Sequence, residues 1–323
     1  MKSINLKQLG KQNISFYLAI EQYFLPRIQE DLFFLWNLNP AIVVGRNQLI
    51  ASEVNMDFVT KHQIPIYRRP TGGGTVYADE GCFMFTFLSK NVNRDQVFWK
   101  YLTEMKNFFQ NLGLNIELSG RNDLLFLGKK FSGNAFLNNQ FGSILHGTIL
   151  YNTDLEFLVS ALTPDDAKLI SKGIKSVRER VINLKDYVNM PIEELMDKMW
   201  SYFSTSELLL EDEDLVAIKD IEKTFLSKKW MNYHHPPFTA HAKNRFSWGL
   251  LESFINVKRE KITGFELAGD FFEKQSINDW CKVFVGCPYN EQAFLEVLEQ
   301  NNITNFIDGA NNQDIMDLIW RKQ

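Results

Sequence analysis

Near the amino terminus the hydrophobic period of the chain changes from helical to strand-like. Phe16, Ile20 and Phe24 recur at helical spacing behind Asn13, a capping residue type, and Pro26 stops the run. DLFFLW and AIVVG follow as short unbroken apolar runs parted by the turn NLNP, which reads as two buried strands. EVNMDFVTKH predicts a helix, IPIYRR a strand, and CFMFTFLSK another strand in which Phe83, Phe85 and Phe87 alternate. DQVFWKYLTEMKNFFQNLG is an amphipathic helix ended by Gly113.

From 114 to 153, NIEL, DLLFLG, KKFSGNAF and FGSILHGTILYN predict short strands and turns. Helices return in LEFLVSALT, PIEELMDKMWSYF and DEDLVAIKDIEKTFLSKKW. WMNYHHPPFTAHAKN, rich in His, Pro and Asn, reads as a linker. Beyond it a hairpin turns at Lys258–Lys261, and two or three short helices follow. The layout is α+β: a mixed sheet with flanking helices, then a small α+β appendage, with domains at 1–242 and 243–323.

At 323 residues, one large domain plus a smaller one is the expected division. A hydrophobic share of 45% supports a packed globule, and a formal charge of −4 argues against a general nucleic-acid binder. Three cysteines suit a reducing compartment better than a disulfide framework. MKSINLKQLGKQNIS lacks the apolar core of a signal peptide, and no apolar run approaches the roughly 20 residues that span a bilayer. The expectation is a soluble cytoplasmic protein without membrane or nucleic-acid partners.

RRPTGGGTVYADEG interrupts strand-forming sequence with Gly72, Gly73 and Gly74. Such a run frees the backbone for positive φ and lets N–H groups meet an anion or lie flat on a ligand; it also suits a tight turn or bulge. Arg68 and Arg69 beside it can pair with phosphate or carboxylate oxygens. The spacing fits neither GxxxxGK[ST] nor a GxGxxG opening a helix. Other polar, small-residue segments are GRNQ (45–48), GRNDLL (120–125), GKKFSGNAF (128–136) and the basic KGIKSVRERVINL (172–184), and His146 lies in LHGTILY. Taken singly, these read as solvated lysines, a solvated basic helix face, a turn-forming Asp123 and a packed strand histidine.

In this order, the glycine loop, RND, KxSGNA, HGT and KGIxSVxxRV resemble the lipoate–protein ligases of the biotin/lipoate-ligase superfamily. The resemblance spans essentially the whole chain, and GFELAGDFF with VFVGCPYN is similar to that family's small accessory domain. It implies a catalytic domain of biotin/lipoate-ligase type that activates lipoate with ATP and passes the acyl group to a carrier-protein lysine. The carrier would be the glycine-cleavage H protein or a lipoyl domain of a 2-oxoacid dehydrogenase acyltransferase.

Carried onto this sequence, Arg69, Gly72, Gly73, Gly74, Thr75, Val76, Tyr77, Lys130, Lys172, Ser176 and Arg180 would face the adenylate. Lys130 and Asp123 would be catalytic, with Asp123 either a Mg²⁺ ligand or a base for the incoming amine. The segment from Lys172 to Arg180 would cover the adenylate. Trp36, Thr71, Gly72, Gly133 and His146 would line the lipoate pocket, with Val44 and Phe136 as further wall candidates. The chain departs from the family at Ala78, where His is common, and at Leu137, where Arg is common. Both changes bear on substrate choice, or on which carrier is modified, more than on the chemistry. Two other readings stand beside this one: an ATP-independent lipoyl or octanoyl transferase using a cysteine or lysine, and a non-catalytic carrier-binding homologue. Cys82 opens a Phe-rich strand and reads as core, and the GRGRxG loop of biotin ligases is absent.

Overall fold

The computed structural model describes residues 1–119, 122–162, 179–231 and 238–320. Within them the chain forms two compact units. The first comprises Met1–Val43, Glu53–Pro70 and Val76–Met231; the second comprises Val44–Ser52, Thr71–Thr75 and Asn232–Gln323.

The first unit is built on a mixed sheet. Its strands are β1 (Lys2–Asn5), β2 (Leu32–Trp36), β6 (Cys82–Ser89), β7 (Ile116–Ser119), β8 (Asp123–Phe126), β9 (Lys129–Asn139), β10 (Gly142–Leu150) and β11 (Ser206–Leu209). Their order is β11-β1-β2-β6-β10-β9-β8-β7. β1 runs parallel to β11 and β2, and the remaining neighbours are antiparallel. A smaller sheet has the order β4-β3-β5, from Ile66–Arg68, Ala41–Val44 and Val76–Ala78.

Alternation along β6 explains the packing. Phe83, Phe85 and Phe87 enter one core with Val97, Tyr101, Met105 and Phe109 of the helix Arg94–Asn111, and the Phe87 and Tyr101 rings stack at 4.3 Å. Cys82, Met84 and Leu88 face the opposite core, which holds the helix Ile14–Phe24. Each wholly buried ring contributes about 1.5–3 kcal/mol, and a one-residue slip of β6 would exchange the two faces. Both faces are covered, so the strand reads as a continuous apolar run with Thr86 as its interior polar exception.

The helix predicted after Asn13 forms as Ile14–Phe24, but the Asn13 side chain makes no capping bond. In the second unit, the expected linker runs into a strand: Ala240–Phe246 forms β12, and 232–237 lie outside the described residues. The alternation of AHAKNRF is a strand signal that His and Pro nearby had masked. β12 pairs with β13 (Gly249–Lys258), which pairs with β14 (Lys261–Gly269). Arg259 and Glu260 make the predicted hairpin turn, with φ of 50° and 59°. The helices Ile277–Lys282, Glu291–Gln300 and Asn312–Trp320 close a core around Trp280, Phe284 and Phe294. Among the described residues no helix is long and apolar enough to cross a membrane.

Candidate active site

Lys130 and Asp123 meet because of an irregularity in the β8–β9 ladder. Leu127 and Gly128 make the hairpin turn with φ of 52° and 71°. Asp123 opposes Gly133 and Leu124 opposes Ser132, but Leu125 opposes Lys130, leaving Phe131 as an extra residue. Phe131 turns into the core against Phe109, ring centroids 5.0 Å apart. Without this bulge Leu125 would face Phe131, and the lysine would project to the other side of the sheet.

With the bulge, Lys130 Nζ lies 2.7 Å from Asp123 Oδ1, both side chains about one-third exposed (38% and 31%). Gly133 supplies the room: a Cβ there would fall 2.7 Å from Lys130 Cε and 2.8 Å from Nζ. Asn134 Nδ2 donates to Asn122 O at 2.7 Å, and Asn122 Nδ2 donates back to Asn134 O. These paired amides join the RND and SGNA motifs.

Trp36 and His146, both assigned to the acyl pocket from the sequence, are linked through two residues that reading did not single out. Trp36 Nε1 donates to Thr86 Oγ1 at 3.0 Å, and Thr86 Oγ1 donates to Glu21 Oε1 at 2.8 Å. His146 Nδ1 lies 2.8 Å from the same Glu21 oxygen. Glu21 is wholly buried. Its Oε1 is held from both sides, while Oε2 has no hydrogen-bond partner among the described residues. The signal was present as a glutamate inside the apolar stripe ISFYLAIEQYF opposite the lone threonine of β6. Tyr17 stacks on Trp36 at 4.7 Å, and Ala78 and Leu137 pack in this same core. Phe136 does not join it; it packs against Phe98 on the opposite face of the sheet.

In the second unit, the three glycines prove unlike one another. A Cβ on Gly72 would lie 2.4 Å from Phe271 O, and Gly73 has φ of 89° and donates to Phe271 O at 3.3 Å. At Gly74 a Cβ would meet nothing within 4 Å. The Gln48 side chain ties the GRNQ segment to this loop: its Oε1 accepts from Gly45 N and from Thr75 Oγ1, each at 2.8 Å. Buried Thr71 accepts from Arg46 N through its carbonyl, at 2.9 Å. Burial raises the Glu273 carboxyl even with the Arg46 guanidinium 3.7 Å away.

The two arginines differ in their contacts. Arg68 donates from Nε and Nη2 to Met231 O at 3.2 and 3.0 Å, holding the helix Lys228–Met231 to β4. Arg69 donates to Val43 O at 3.1 Å; burial, with Arg68 nearby, lowers its guanidinium to about 10, so it keeps its charge at neutral pH. Val76 and Tyr77 lie in β5, paired with β3, and the Tyr77 ring is buried near Phe157. Lys172 and Ser176 lie outside the described residues. Arg180 is exposed, and the next residue, Val181, bridges to Lys130.

Residues 13–204 match the profile of the lipoyl protein ligase A/B catalytic domain, and 235–319 match that of the bacterial lipoate protein ligase C-terminus. Lipoate–protein ligase 1 of Staphylococcus aureus (strain Mu50) is 31% identical over 327 residues, covering 97% of this chain and 100% of that protein. The crystal structure of P. falciparum LipL1 in complex with lipoate has a TM-score of 0.78 at 25% identity, over 95% of each chain. A lipoate-protein ligase A bound with ATP shares the fold at a TM-score of 0.61 and 22% identity, over 71% of this chain and 97% of that one. The chain therefore belongs to the lipoate–protein ligase family.

Proposed function

We infer that this chain is an ATP-dependent lipoate–protein ligase, forming lipoyl-adenylate and then lipoylating a lysine of a carrier protein. The observation that carries the residue assignment is the Lys130 ammonium lodged over Gly133 beside Asp123. In the first step the lipoate carboxylate attacks the α-phosphate of ATP and pyrophosphate leaves. Lys130 holds the two anions together, which lowers the entropic cost of their encounter. In the second step the carrier amine attacks the acyl carbonyl and AMP leaves, and the same ammonium stabilises the negative charge growing on the carbonyl oxygen.

Mg²⁺ takes one or two carboxylates together with substrate phosphates. Asp123 fits that donor chemistry as a single, partly exposed carboxylate beside the Lys130 ammonium. A Mg²⁺ ion held there would neutralise phosphate charge. The alternative role for Asp123 is to take the proton of the incoming amine. The buried Trp36–Thr86–Glu21–His146 network would form the polar end of the acyl pocket, and Arg69 with the glycine-loop backbone would meet the nucleotide.

A cysteine-dependent transferase is disfavoured. Burial pushes the Cys82 thiol up to about 12, and burial also raises Cys281 and Cys287, so none of the three offers a thiolate near neutral pH. The test is lipoate-dependent exchange of labelled pyrophosphate into ATP, followed by transfer to an H protein and to an isolated lipoyl domain. Exchange that requires lipoate is expected. Transfer between carriers without any exchange would overturn the ligase reading, and the two acceptors compared identify the carrier.

A further inference from the structure

Lys130 sits where the sheet splays. β9 and β10 pair from Gly142↔Asn139 to Gly147↔Asn134 and then part, so Lys129–Gly133 lack β10 as a neighbour. The far end of β10, Thr148–Leu150, continues beside β6 alone. The chain at 181–185 fills the opening. On one side Ile182 N donates to Lys130 O at 3.0 Å, and Val181 forms a parallel bridge with Lys130. On the other, Leu184 N donates to Leu150 O at 3.0 Å and Lys185 N to Tyr151 O at 2.9 Å.

One side chain fastens this wedge. Asn183 Oδ1 accepts from Thr153 N at 3.0 Å, and Asn183 Nδ2 donates to Thr153 O at 2.9 Å. The amide satisfies both main-chain groups of Thr153, as a paired strand residue would. Thr153 is anchored in turn, because Asp154 N donates to Asp79 Oδ2 at 2.8 Å and Gly81 N to Asp79 Oδ1 at 2.9 Å. Leu184 and Val188 are buried beneath the wedge.

We propose that Asn183 is a positioning residue for Lys130. Its reciprocal pair with Thr153 sets the wedge, and Ile182 transmits that position to the carbonyl of Lys130, fixing where β9 begins and where the ammonium emerges. The proposal rests on the assignment of Lys130 to the reaction. A displacement of about 1 Å at a reacting group can cost on the order of 10²-fold in rate, so loosening the wedge should act on turnover more than on substrate binding.

The experiment measures lipoate-dependent pyrophosphate exchange for the full chain carrying Asn183→Ala, Lys130→Ala, or both, with circular dichroism melts alongside. Asn183→Asp, which keeps the acceptor for Thr153 N–H and loses the donor, serves as a second variant if the alanine protein does not fold. The expected result for either Asn183 variant is a fall in kcat of about tenfold or more with KM for ATP within about twofold. Residues coupled through contact are non-additive, so in the Lys130→Ala background the same change should cost nothing further. An equal loss in both backgrounds, or unchanged kcat in a folded variant, overturns the proposal while leaving Lys130 in place. A Lys130→Ala protein as active as wild type overturns the underlying assignment instead.

Discussion

Gly72 and Gly133 both sit where a Cβ would be too close to its neighbours, yet different atoms occupy the space. At Gly72 the neighbour is backbone, Phe271 O at 2.4 Å, and neither partner can move without disturbing the unit around it. At Gly133 the neighbour is the far end of a flexible side chain, the Lys130 ammonium at 2.8 Å. On the proposed function, the first glycine would be needed for close backbone packing and the second for the placement of the lysine. Conformation alone does not distinguish them, since neither has a positive φ. A glycine's role is read from what stands opposite it, and the two should separate cleanly when stability and activity are measured side by side.

The largest expected effect sets the scale of the chemical side. Lys130→Ala should lower lipoate-dependent pyrophosphate exchange by about 10²–10³, the usual cost of losing one preorganised charge donor. Its melting temperature should change little, because the side chain is 38% exposed. Gly72→Ala sharpens the other side: overpacking against a carbonyl should destabilise by about 1–3 kcal/mol, read as an earlier thermal or urea transition. An unchanged transition would mean that the loop relaxes freely and that the comparison fails there.

Gly133→Ala is the middle case and the most diagnostic. The lysine can swing aside, so stability should stay within about 0.5 kcal/mol, while displacement of the ammonium lowers exchange on the order of tenfold or more. A variant that melts early but keeps its specific activity would place Gly133 with Gly72 instead. The smallest effect belongs to Gly74→Ala. With nothing within 4 Å of the added methyl, stability should again hold within about 0.5 kcal/mol. If a ligand lies along this backbone, KM for ATP should rise several-fold; an unchanged KM would remove Gly74 from the nucleotide site.

Much of this was legible in the chain. Alternation placed β6, the hairpin turning within Lys258–Lys261 was expected, and the helical period placed the helix Arg94–Asn111, because burial imposes periods of two and 3.6 on neighbouring residues. The ordered motifs pointed to the ligase family, and Lys130, Asp123 and Gly133 were each singled out. Glu21, Gln48, Thr86 and Asn183 were not. Each looks ordinary in its own segment and acquires meaning only through a partner distant in sequence: Glu21 from His146, Asn183 from Thr153. The strand in AHAKNRF was obscured by the His- and Pro-rich residues before it.

The amino-acid sequence by itself determined the elements, their buried faces and the set of chemical groups, since all three follow from near-neighbour sterics and hydrophobic period. Only the tertiary structure decided which face Lys130 takes, which backbone stands against Gly72, and which segment closes the splay beside β9. Those outcomes depend on one extra residue in a ladder and on long-range hydrogen bonds, and a periodic pattern along the chain carries no record of either.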